Sequence, residues 1–359
     1  PLVTALAAMI GGVYGAPAHG LDLLKSPDRM VRQVWQTEQG LPQVSVTSIA
    51  QTRDGYLWVG TFGGLARFDG ARFTVYDAGN TPGFAGNRIL SLFVDRDDVL
   101  WIGSETGLKR MDHGRFLPFT VADGLPSGHV TSITQDAEGV IWVGTTLGVA
   151  AIRGGALIHG DWERINSDAG WAVVGGGRNG RVWAIVGSRF HEIRDGVVNE
   201  HPLPAVPSGQ EGTAVFEASD GRVFVGYGGA WRREPDGSWV ELRSRDAKRL
   251  VVSSITESRD GAILITSEGS GLNIWSQGRH QDAAVFSVGA DLIKFAFEDR
   301  AGGLWIGTNI SGLFAWRRGR VTAWGRERGM PEVSSVPILE DRRGNIWVGA
   351  TCGGLFLRP

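Results

Sequence analysis

Cysteine is almost absent: among 359 residues only Cys352 is present. An internal disulfide and a cysteine-built metal cluster are therefore excluded. Charge of one sign is lacking too, since 36 Lys and Arg stand against 38 Asp and Glu, a formal net charge of −2. Nucleic-acid binders carry a basic excess, and adhesion to an anionic bilayer surface needs one as well, so neither partner is expected. Beyond the start of the chain, no apolar run is long enough to span a bilayer. Residues 1–21 contain no Lys, Arg, Asp or Glu, residues 2–13 form an Ala-rich apolar run, and Ala16-Pro17-Ala18 has the small-x-small form of a signal-peptidase site. This reads as the remnant of a secretory signal peptide over 1–18, followed by a linker over 19–29. The remainder is expected to be exported to the periplasm, as part of a longer protein.

Glycine and tryptophan are plentiful. There are 54 Gly and 14 Trp, with Gly about twice the ~7% of an average chain. Apolar residues make up 42%, enough for a sizeable core. One motif recurs: a polar turn, Gly, any residue, three aliphatic or aromatic residues, then often Gly and Thr or Ser. It first reads Asp54-Gly55-Tyr56-Leu57-Trp58-Val59-Gly60-Thr61. The Trp58 position returns at Trp101, Trp142, Trp183, Phe224, Leu264, Trp305 and Trp347, spaced 40 to 43 residues apart. A fixed period of this length marks a repeat architecture.

Each period has the same internal order. Residues 44–51 alternate and are rich in β-branched side chains, which predicts a strand. Arg53-Asp54-Gly55 suits a hairpin turn, residues 56–61 form a second strand, and Phe62-Gly63-Gly64 turns again. Residues 65–68 and 72–76, separated by Asp69-Gly70, complete four strands. Four antiparallel strands in about 41 residues make one propeller blade. The all-apolar Leu57-Trp58-Val59 fits a sheet covered on both faces, so the indoles are expected to pack between blades. The fold expected is an all-β propeller over 30–359. Eight repeats give eight blades, or seven plus one leftover repeat. Val31-Arg32-Gln33-Val34-Trp35 before Gly40-Leu41-Pro42 mirrors Arg320-Val321-Thr322-Ala323-Trp324 before Gly329-Met330-Pro331. The N-terminal segment is thus an orphan fourth strand, expected to close the ring by completing the last blade, that of Trp347.

The string Trp35-Gln36-Thr37-Glu38-Gln39-Gly40-Leu41-Pro42, with Asp54 to Thr61 and Gly64-Leu65-Ala66-Arg67-Phe68-Asp69-Gly70, resembles the two-component regulator propeller repeat. That resemblance implies the extracytoplasmic sensor of a membrane-bound regulator, typically paired as a homodimer. Its membrane helix and its histidine kinase or diguanylate cyclase output would lie outside this chain.

Chemistry-bearing patterns are sparse. The seven histidines show no zinc-ligand spacing, and neither a phosphate-binding glycine loop nor a Gly-x-Ser-x-Gly elbow is present. Asp54, Asp69 and Asp260 precede glycines and read as turn formers. No catalytic residue, metal or cofactor is expected. Ligand contacts are expected from turns gathered at one end of the central channel. Phe62, Glu105, Thr146, Tyr227, Glu268, Asn309 and Cys352 follow second strands, while Gln43 and His129 precede first strands. The candidate ligand-binding residues are Gln43, Phe62, Glu105, His129, Tyr227, Glu268 and Asn309. Rings beside carboxylates and amides suit a small polyhydroxylated molecule or glycan. Two other readings stay open: a metal-dependent propeller lyase or lactonase using Glu105, Glu268, Asn309 and His129, and an envelope protein-interaction scaffold.

Overall fold

Each hairpin forms where its turn chemistry dictates. In the first period, Val46–Gln51, Leu57–Thr61, Gly64–Phe68 and Phe73–Tyr76 are antiparallel and lie in sequence order. Gly55 has φ +91° at the first turn, a region that glycine enters without steric cost. All five residues of Leu57–Thr61 are buried, as a strand covered on both faces requires. These features belong to a computed structural model. It describes residues 30–318, apart from 113, 169, 178–179, 208, 277, 282 and 290, together with 335–340, 346–350 and 354–358. The expected signal-peptide remnant and linker (1–29) and Cys352 lie outside the described residues.

Five more sheets repeat the order, with first strands Ile89–Val94, Val130–Gln135, Ala172–Gly176, Gly212–Glu217 and Val251–Glu257. The seventh sheet holds Ile293–Glu298, Leu304–Thr308 and Leu313–Arg318, and its fourth strand is Met30–Trp35. Each first strand packs on the next one around the ring, and Ile293–Glu298 packs on Val46–Gln51. The result is a seven-bladed β-propeller.

The count of eight blades is therefore corrected. The chain divides into two compact units, Pro1–Arg317 and Arg318–Pro359. In the second, Ser335–Glu340, Ile346–Ala350 and Gly354–Arg358 form a three-stranded antiparallel sheet by themselves. The placement of the N-terminal strand is corrected as well: it lies beside Leu313–Arg318, in the Trp305 blade and not the Trp347 repeat. There Trp35 stacks on Trp305 at 5.3 Å and meets Phe68 edge-on at 5.2 Å. A sequence period counts hairpins. How many of them close a ring depends on the wedge angle at each seam, which the period does not encode.

Indoles fill the seams. Trp58 is 2% exposed and packs among Ile89, Leu100 and Ile102 of the next blade. Its Nε1–H donates to Thr52 Oγ1 at 3.0 Å. Trp101, Trp142 and Trp305 donate to Asp95, Asp136 and Asp299, six residues earlier, at 2.8, 2.8 and 2.7 Å. The same carboxylates accept hairpin N–H groups, from Val99, Val140 and Gly303. Where the indole is lost the carboxylate is lost too: Phe224 follows Ala218, and Leu264 follows Ser258. A buried carboxylate deprived of a donor is costly, which explains the paired change.

Two further devices tighten the seams. A Cβ on Gly307 would stand 2.5 Å from Val46 Cγ1 of the first blade, so only glycine lets these neighbours approach. At the opposite rim, side chains ending first strands accept backbone N–H groups from the preceding blade. Gln135 does so from Arg96 and Glu298 from Arg259. The same clasp joins the seventh blade to the first: Arg300 N–H donates to Gln51 Oε1 at 2.8 Å, and its guanidinium to the Thr52 carbonyl at 2.9 Å.

One buried cation stands apart. Lys109 is 2% exposed, donates to Ser104 Oγ at 2.9 Å and lies 5.2 Å from the centre of the Phe84 ring. Burial lowers its pKa to about 8 from 10.5, because the charged form loses hydration. Below pH 8 both folded and unfolded chains carry the proton, and the penalty is in full force. Between about 8 and 10.5 the folded chain has released a proton that the unfolded chain keeps, so stability rises with pH. Lys109→Met is expected to stabilise the ring by ~1–2 kcal/mol at pH 7. Urea titrations should show that gain shrinking as pH is raised towards 10.5.

Candidate functional site

Three rows of residues, one from each blade, converge at one end of the ring. The first row immediately precedes the inner strands at Ser45, Arg88, His129, Trp171, Glu211 and Leu292, and in the sixth blade is Val251, the first residue of its strand. The second row follows the second strands at Phe62, Glu105, Thr146 and Asn309, and in the sixth blade includes Glu268, the last residue of its strand. The rows are tied together by backbone bonds: Phe62 N–H to Ser45 O, Glu105 to Arg88, Thr146 to His129, Gly187 to Trp171, and Asn309 to Leu292. The third row arises from β-bulges. The ladder skips a residue between Val46 and Ser48, Ile89 and Ser91, Val130 and Ser132, Gly212 and Ala214, Val252 and Ser254, and Ile293 and Phe295. A bulge re-aims its extra residue. Thr47, Leu90, Thr131, Thr213, Ser253 and Lys294, with Val173 from the unbulged fourth blade, line the channel.

Members of all three rows line a mouth cavity of ≈ 400 Å³, which shares Thr47, Leu90, Thr131, Val173, Thr213 and Ser253 with the channel below. Lys294 Nζ meets Glu268 Oε1 at 2.8 Å, with both side chains part-exposed. The His129 ring lies 5.6 Å from Trp171. Ser45 Oγ donates to Asn309 Oδ1 at 3.3 Å. The Arg88 guanidinium rests 4.1 Å from the centre of the Phe62 ring and pairs with Glu105 at 2.6 Å. Glu211 has no cation within ion-pair distance among the described residues. The mouth thus offers aromatic faces, hydroxyls, an amide and carboxylates around one opening.

Of the seven candidate residues, Phe62, His129, Glu268 and Asn309 line this cavity. Glu105 does not line it: it pairs with Arg88, which rests on the Phe62 ring. Gln43 lies against Gly63, its Oε1 buried without a hydrogen-bond partner among the described residues. Tyr227 is 7% exposed, in an apolar cluster with Trp183 and Phe190. It pairs with Gly212 as Thr61 pairs with Val46, one residue short of the lining row. Trp171, Glu211 and Lys294 were not anticipated. The signal for the first two was the slot directly before each inner strand, where His129 also sits. Among the described residues, no group of three His, Cys, Asp or Glu side chains could hold a metal ion, and no helix is long and apolar enough to cross a membrane.

Residues 40–63, 83–106 and 124–146 match the two component regulator propeller family, and the chain carries that repeat. No curated protein matches it in sequence. Its fold is similar to the extracellular domain of BT3049 from B. thetaiotaomicron, described as a hybrid two component system. The TM-score is 0.67 at 19% identity, over 92% of this chain and 53% of that one. The extracellular domain of BT4673 from the same organism, described as a one component system, gives 0.65 at 18% identity, over 91% and 45%. The chain therefore spans about half the length of these two ectodomains. An inactive virginiamycin B lyase from Staphylococcus aureus, solved with quinupristin, gives 0.65 at 14% identity, over 80% and 99%. At such identities the likeness is one of fold.

Proposed function

We propose that the ring is the ligand-sensing ectodomain of an exported, membrane-anchored signal-transduction regulator, itself without catalytic activity. The ligand is a small polyhydroxylated molecule or glycan held at the channel mouth. Binding there shifts the arrangement of a homodimer, and a segment outside this chain carries the shift inward. The mouth cavity carries the reading: side chains from all seven blades line one opening. The repeat match and the likeness to sensor ectodomains support the class. The lyase reading finds less support, because Glu268 and Glu105 are each engaged by a cation.

Isothermal titration of the folded chain against neutral oligosaccharides and polyols tests the proposal. Trp171→Ala is expected to weaken any binder about tenfold or more, ~1.4 kcal/mol, with little change in the unfolding midpoint because Trp171 is only half-buried. A panel without a single binder, or a binder indifferent to Trp171→Ala, would count against the mouth as a sensing site.

A further inference from the structure

The seam between the fifth and sixth blades differs from its neighbour in one respect that points to a second site. In the seam before it, Trp183 Nε1–H donates to Glu217 Oε2 at 2.6 Å, and Arg181 holds the other carboxylate oxygen at 2.8 Å. Glu217 ends the first strand of the following blade. Glu257 ends the equivalent strand one blade on, and Arg222 stands two residues before Phe224 as Arg181 does before Trp183. The frame that receives an indole is thus repeated, but a phenyl ring occupies the indole position. A cavity of ≈ 300 Å³ opens beside Phe224.

Its apolar lining includes Phe224, Leu242, Ile263 and Trp275. Its polar rim is unbalanced. Arg222 turns to Asp220 at 3.4 Å, and Arg232 to Glu234 at 2.5 Å. Glu257 accepts the Ser219 N–H and hydroxyl, and Asp260 the Ser258 hydroxyl. Neither carboxylate has a cation within ion-pair distance among the described residues. An aromatic ring entering here gains the apolar lining, an N–H on it meets Glu257 as Trp183 meets Glu217, and a positive charge meets the rim.

We propose that this seam is a binding site for a cationic, N–H-bearing aromatic, an indolic amine, separate from the channel mouth. The probe is tryptamine, titrated into the folded chain by calorimetry, with indole-3-acetate as the anion of similar shape. Tryptamine is expected to bind, and indole-3-acetate at least tenfold more weakly. Phe224→Trp fills the seam from within and should weaken tryptamine at least tenfold. Asp260→Asn, on the rim, should narrow the preference for the cation and stands in if Phe224→Trp does not fold. Absence of tryptamine binding, equal affinity for the anion, or affinity unchanged in either folded variant overturns the proposal. Trp171→Ala, by contrast, should leave tryptamine binding unaltered; sensitivity to it would assign the amine to the mouth instead.

Discussion

Trp305→Ala is expected to cost about 4–5 kcal/mol, among the largest losses a single substitution can produce in the ring. The indole is 1% exposed. It is stacked by Trp35, covered by the Arg317 guanidinium at 4.4 Å, and held through Nε1–H by Asp299 at 2.7 Å. Removal leaves a cavity and takes a donor from a carboxylate that is itself 5% exposed. Asp299 keeps the Gly303 N–H at 2.7 Å, so its share of the loss is a fraction of the whole. Adding Asp299→Ala to Trp305→Ala should therefore cost less than the sum of the two single changes, with a coupling of ~1 kcal/mol. Urea unfolding checks both values. A loss below ~1.5 kcal/mol for Trp305→Ala would show that the seam collapses around the void.

The second large effect concerns the N-terminal strand. A chain beginning at residue 37 lacks Met30–Trp35 and uncovers the outer edge of Leu313–Arg318. Trp35 no longer seals Trp305 and Phe68, the Arg32 guanidinium no longer lies 5.5 Å from the centre of the Phe314 ring, and the Gln36 side chain no longer donates to the Ser311 carbonyl at 3.2 Å. We expect a loss of about 3 kcal/mol or more from apolar area alone, with self-association through the bared edge. Urea unfolding and light scattering of the truncated chain measure these effects. A peptide spanning residues 30–39 should restore the midpoint when added in trans. An unchanged midpoint would mean that the clasp of Arg300 on Gln51 holds the ring closed unaided.

Much of this was legible in the sequence. The motif around Trp58 located the second strand in every blade, and its unbroken apolar run implied cover on both faces. The row containing Phe62, Glu268 and Asn309 followed from counting forward from those strands. Counting failed at Tyr227 because the fifth blade has Gly228 in the lining slot, and a one-residue offset turns a side chain to the other face. The bulged residues stayed hidden, since periodicity of two has no place for an extra residue. Lys294 was missed for that reason. The choice between seven and eight blades was not readable, because Trp35 faces equally suitable partners in the Trp305 and Trp347 repeats when only residue types are compared.

Because Thr47, Leu90, Thr131, Thr213, Ser253 and Lys294 sit at breaks in the ladder, their identity is only loosely tied to sheet pairing. The hydroxyls of Thr47 and Thr131 donate to the Ile89 and Ala172 carbonyls of the next blade, whereas Leu90, Ser253 and Lys294 show that the bulge itself accepts aliphatic, polar and charged side chains. The lumen of such a molecule is open to chemical diversification: relatives with one architecture can present differently coloured interiors, and recognition can evolve faster than form.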